Sequence, residues 1–150
     1  MNEINIKTGL KTFKINFSDR NESAEISFNP ADSELSNRLF KAQKMIEKKA
    51  DSIESFDVDE NGVPNVDEYI RCMDETNQAV YDAVDYAFGN KISDKLFAYC
   101  SPFAVVDGKY FIVTFFEQIA PVIRNIVEKE GSKASEEAQK YINKYKKASK

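Results

Sequence analysis

At 150 residues, 42% of them hydrophobic and 31% charged, the chain has the length and composition of one globular domain, able to bury about 68–70% of its unfolded surface. A net charge of −4 and a pI near 5.0 argue against a general nucleic-acid binder, whose phosphate-tracking face needs excess Lys and Arg. The chain has no His, which removes His-based acid–base catalysis, Ser–His and Cys–His nucleophile pairs and His-ligated zinc.

Taken in chain order, apolar residues first alternate at Phe13, Ile15 and Phe17 and, after a polar turn from Ser18 to Glu22, again at Ile26 and Phe28. This predicts a β-hairpin over about residues 12–28. A lone hairpin is marginal in water, so its apolar face must lie on the helices that follow or on another copy of the protein. Asn29-Pro30 reads as an N-cap with proline at the first helical position, opening a helix whose inner face is Leu35, Leu39, Ala42, Ile46, Ala50 and Ile53 and which runs to about Phe56. After a loop, the stripe Tyr69, Met73, Val80, Val84 and Phe88 predicts a second helix from about Val66 to Phe88, closed by Gly89. A short helical pattern, Ile92, Leu96, Phe97 and Cys100, stops at Ser101-Pro102, and Asp107-Gly108 makes a further turn.

The run Tyr110 to Phe116 is compatible with a buried strand, but the apolar series continues at helical spacing through Ile119, Val122, Ile123, Ile126 and Val127 and ends before Gly131. A helix is therefore expected from Tyr110, kinked at Pro121. Ser132 is expected to cap a separate Lys-rich helix with the thin stripe Ala134, Ala138, Tyr141 and Tyr145. The expected fold is mainly α, four to five helices with an N-terminal β-hairpin. It is one domain over 1–150: the hairpin, a helical body over about 29–130, and a basic C-terminal helix over about 132–147.

Charge is unevenly placed. Residues 51 to 75 hold nine acids against Arg71, whereas residues 132 to 150 hold six Lys against Glu136 and Glu137. Both are the pattern of solvated surfaces or of docking sites for charged partners. Cys72 and Cys100 sit in helical apolar pattern and read as buried, reduced thiols. The N-terminus lacks the pattern of an export signal, and the most apolar helix is interrupted by Glu117, Gln118, Arg124 and Asn125. A cytosolic protein with no membrane partner is expected.

The isolated glycines form no phosphate-binding loop, so no enzyme is expected and no catalytic residues are assigned. One ligand pattern is complete: Asp57, Asp59 and Asn61, with Gly62 and then Glu68, match the oxygen-ligand spacing of a calcium-binding EF-hand loop. Against it, Pro64 has no N–H where paired hands bond to each other, and no second hand is present. The loop reads either as an acidic connection without metal or as a calcium site.

The stretches Phe28-Asn29-Pro30-Ala31-Asp32-Ser33-Glu34, Phe88-Gly89, Leu96-Phe97, Asp107-Gly108 and the Lys140-Tyr141 to Lys144-Tyr145 spacing, in this order, resemble a family of small tail assembly chaperones encoded by phages and prophages of Firmicutes. The EF-hand-like loop is no part of that pattern. The resemblance implies a non-catalytic protein in the cytoplasm of the bacterial host that coats the tape measure protein, or another phage tail protein, during tail morphogenesis. It implies no cofactor. A structural tail or connector subunit and a calcium-binding module are the alternatives, and homo-oligomerisation is open. The aromatics that such a role would use are Phe97, Phe103, Tyr110, Phe111, Phe115 and Phe116 around the expected aromatic helix, joined by Tyr141 and Tyr145 in the basic segment. Each of them also fits a core position.

Overall fold

The computed structural model describes residues 1–53, 59–63 and 65–148, with the side chains of Ala50, Ser52, Ile53 and Ala148 not described. The expected Phe56 end of the first helix, Asp57 and Pro64 lie outside the described residues. Among the described residues the fold is mainly helical, four helices with an N-terminal antiparallel hairpin, and none of the helices is long and apolar enough to cross a membrane.

The hairpin joins β1 (Lys11–Phe17) to β2 (Glu22–Phe28), with Phe13 opposite Ile26, Ile15 opposite Ala24 and Lys14 opposite Glu25. Period-two alternation puts Phe13, Ile15, Ile26 and Phe28 on the face turned to the core. Phe13 stacks on Phe28 at 4.8 Å, and Phe28 meets Phe88 edge-on at 4.9 Å. Polar Thr12 and Ser27 face outward and join their hydroxyls at 2.8 Å.

Asn29-Pro30 does not begin the first helix. The Asn29 side chain accepts from the Ala31 N–H, the Asp32 side chain accepts from the Glu34 N–H, and the Leu35 N–H donates to the Asp32 carbonyl. These successive side-chain turns occupy 29–34, so α1 spans Leu35–Ile53. Its face Leu35, Leu39, Ala42 and Ile46 packs on α2 (Val66–Phe88). The second helix has the expected bounds. Asn65 caps its start by accepting from the Asp67 and Glu68 N–H groups, and Gly89 ends it in the left-handed conformation at φ +67°. Val80, Ala83, Val84, Ala87 and Phe88 make its buried face.

A single turn, α3 (Ser93–Leu96), places Ile92 and Leu96 in the core. It is held by Asp85 of α2, whose carboxylate accepts from the Ile92 N–H, the Ser93 N–H and the Ser93 hydroxyl, each at 2.8 Å. Asp107 and Gly108 then turn a two-residue ribbon, β3 (Val105–Val106) against β4 (Lys109–Tyr110). Tyr110 thus belongs to a strand and not to the aromatic helix.

That helix, α4 (Phe111–Ala148), runs 38 residues with Pro121 inside it, about 57 Å at 1.5 Å per residue. The expected break at Gly131 and cap at Ser132 are absent: one helix replaces the two. A helical glycine costs about 1 kcal/mol against alanine, but ending the helix here would gain nothing, because the residues that follow are strong helix formers with no apolar contact to close a cap. The Lys133–Glu130 ion pair at 3.7 Å spans the junction. The first half of α4 buries Ile112, Phe115 and Ile119 against the hairpin and α2, with Ile123 packed at the margin.

Candidate functional site

The eight aromatics expected to contact a partner fall into three settings. Phe97 and Phe115 are core side chains: Phe97 stacks on Tyr81 at 5.1 Å, and Phe115 meets Phe88 at 5.8 Å. In this conformation both side chains are about nine-tenths buried, with Phe115 also at the wall of the groove described below. Phe103, Phe111 and Phe116 are half-buried at the edge of the same core, and exposed Tyr110 lies edge-on to Phe103 at 5.6 Å. Tyr141 and Tyr145 stand apart from all of these, both 63% exposed and 5.0 Å from each other.

The distal part of α4 carries this last pair beyond the folded body. Every residue from 131 to 147 is exposed, so among the described residues this length of helix adds nothing to the core and persists as an extension of the nucleated, packed first half. Ile142 joins the two tyrosines in an apolar patch that Lys146 also lines. A hydrogen bond to Tyr145 holds the Tyr141 hydroxyl above its ordinary pKa. With Lys140, Lys144 and Lys147 close by in sequence, the patch is an exposed aromatic strip among lysines whose stems can extend its apolar surface.

A second apolar surface is a groove of about 370 Å³ between β1 and the first half of α4, lined by Phe13 to Phe17 and by Phe111, Phe115 and Val122 among others. Residues 1–10 leave the hairpin as an exposed arm carrying Ile4, Ile6 and Leu10. The sequence reading missed this arm, although Ile4, Ile6 and Thr8 alternate as a strand does.

Of the metal candidates, Asp57 lies outside the described residues. The Asp59 Oδ1 already accepts from the Asn61 and Val63 N–H groups, while Asn61 is exposed and Glu68 sits in the first turn of α2. Among the described residues no group of three or more acidic or thiol side chains is placed to hold a metal ion. Cys72 and Cys100 are unpaired and half-buried rather than buried; burial pushes the Cys100 thiol up, with Arg20 opposing. Comparison with protein-family models, with curated proteins and with solved structures finds no match to the chain.

Proposed function

We propose that this protein is a non-catalytic binder of an apolar helical chain, acting as a phage tail assembly chaperone for the tape measure protein in the cytoplasm of the bacterial host. The observation that carries the binding role is the distal half of α4, an unpacked helix that displays Tyr141, Ile142 and Tyr145 to solvent among lysines. A monomer gains nothing from such a strip, whereas a holdase needs shallow apolar contacts that a later partner can displace. The particular client comes from the family resemblance described above. A structural tail or connector subunit is the second reading, favoured by the exposed N-terminal arm.

Coexpression with the tape measure protein of the same genome tests the proposal. The client should stay soluble with the full chain present and precipitate when Tyr141 and Tyr145 are both changed to Asp, while cooperative melting of this protein is retained because neither ring touches the core. An insoluble client at stoichiometric excess of this protein refutes the chaperone role. Equal rescue by the double variant refutes the assignment of the strip.

A further inference from the structure

The N-terminal arm and the groove beside β1 are two exposed apolar surfaces of the molecule. Residues 1–10 run without a turn or bend, all exposed, with Ile4 at 84% and Ile6 at 80%. Its base is tethered: the Asn29 Nδ2 donates to the Thr8 carbonyl at 2.8 Å. Gly9 follows at φ +80°, so close to Asn29 that a Cβ there would lie 2.8 Å from Nδ2. A side chain at residue 9 would therefore be strained both by its φ and by this contact, so the departure direction of the arm is built in. The tether lies on the β2 side of the hairpin, since Asn29 directly follows β2. To reach the other edge of its own β1 the arm would have to reverse within Gly9-Leu10, and it does not.

That other edge is open. Among the described residues β1 pairs only with β2, leaving its remaining N–H and C=O groups without a ladder there. Consecutive residues Phe13 to Phe17 all line the groove, as the edge of a strand does and one of its faces does not. On the inner face, β2 buries Ile26 and Phe28 to 1% exposure, whereas Phe13, Ile15 and Phe17 of β1 stay half-exposed. The slot thus lacks one strand with apolar residues at every second position. Met1 to Lys7, the part of the arm beyond the tether, supplies seven residues, the length of β1, with Ile4 and Ile6 at that spacing.

We propose that the arm of one copy adds as a third strand to the free edge of β1 in a second copy, its Ile4 and Ile6 side chains entering the groove between β1 and α4. Each copy carries one free strand and one free slot, so the contact is self-complementary and closes a dimer or propagates a chain. The inference is independent of the chaperone reading, and its test involves no client.

Sedimentation of the full chain at up to about 100 µM should show dimers or larger species that dissociate on dilution. Changing Ile4 and Ile6 together to Asp should give a monomer that keeps its circular dichroism spectrum and cooperative melting, because these two side chains are 84% and 80% exposed in their own copy. Val122→Asp, placed in the groove at 39% exposure, should give the same monomer from the other side. A synthetic peptide of residues 1–10 should dissociate the oligomer, and the same peptide N-methylated at alternate amides should not. A monomeric full chain at the highest concentration, or an oligomer that survives the double Asp change, overturns the proposal.

Discussion

Asp85 offers the sharpest test of how this fold is held. Its Oδ1 accepts two backbone N–H groups, from Ile92 and Ser93, and its Oδ2 accepts the Ser93 hydroxyl, all at 2.8 Å. Ile92 and Ser93 are exposed by only 1% and 3%, so water cannot readily replace a lost acceptor. Asp85→Ala orphans both N–H groups, each worth about 1–3 kcal/mol when buried and unpaired. The half-exposed position of Asp85 itself lets some solvent in, which brings the expected loss to about 2–4 kcal/mol, or roughly 5–15 °C in melting temperature for a chain of this size. Asp85→Asn keeps Oδ1 for both N–H groups and can donate its amide to the Ser93 hydroxyl, so it should cost only about 1 kcal/mol, the charge-assisted part. Urea denaturation at unchanged slope measures both. A loss below about 0.5 kcal/mol for the Ala variant, or an Asn variant as damaged as the Ala one, would show that the carboxylate geometry is not what fixes α3.

The Glu34 N–H and the Arg38 guanidinium hold the Asp32 carboxyl below its ordinary value of 3.8. The unfolded chain therefore binds that proton first as pH falls, so this contribution is complete above about pH 3.8 and is lost as pH drops through the lower folded value; Asp32→Asn should flatten that part of the acid limb of melting temperature against pH, and an unaltered limb rejects the assignment. Burial raises the Cys100 thiol, so iodoacetamide near neutral pH should label it more slowly in the native protein than in urea, and equal rates would count against burial. Among the described residues Asn77 Oδ1 is buried without a hydrogen-bond partner; Asn77→Leu should be neutral or stabilise by up to about 1 kcal/mol, and a comparable loss would mean that the oxygen is satisfied in solution. Millimolar calcium should leave the melting temperature unchanged, since a functional site at 100 times its dissociation constant would add about 2.7 kcal/mol; a rise of several degrees that vanishes in Asp57→Ala would establish the EF-hand-like loop as a site.

What the sequence disclosed of the fold is what local physics determines. Alternation at Phe13, Ile15 and Phe17 has one reading, and the second helix could be bounded because Gly89 adopts the left-handed conformation its position suggested. The failures come where one residue type serves two ends. Asn29, Pro30 and Asp32 are good helix-opening residues, yet Asn29 and Asp32 here accept from N–H groups two residues ahead and postpone the helix to Leu35. Gly131 and Ser132 look like a stop and a start, but the preference of the flanking residues for helix outweighs one glycine. Tyr110 reads as helix by periodicity, and the Asp107-Gly108 turn draws it into a ribbon instead.

The functional surface was less legible because burial is a tertiary property. Phe111 and Phe115 stand four apart on α4, as do Tyr141 and Tyr145, and spacing alone cannot tell which pair meets a core. The body of the molecule ends near residue 130, so the first pair packs inward and the second projects into solvent. The same boundary explains how an aromatic pair can be exposed without weakening the fold: Tyr141 and Tyr145 are each 63% exposed and lie outside the core, so they contribute little buried area to lose. The arm differs in that its alternation was readable from Ile4 and Ile6. What the sequence withheld was the slot, which arises only when β1 and α4 come together and leave one strand edge uncovered. On the two proposals made above, both surfaces serve assembly rather than folding, and the proposals can be separated experimentally. Disabling the arm should remove self-association and leave the Tyr141–Tyr145 strip able to hold a client, whereas loss of both activities from Ile4 and Ile6 changes alone would mean that the client binds the oligomer and not the single chain.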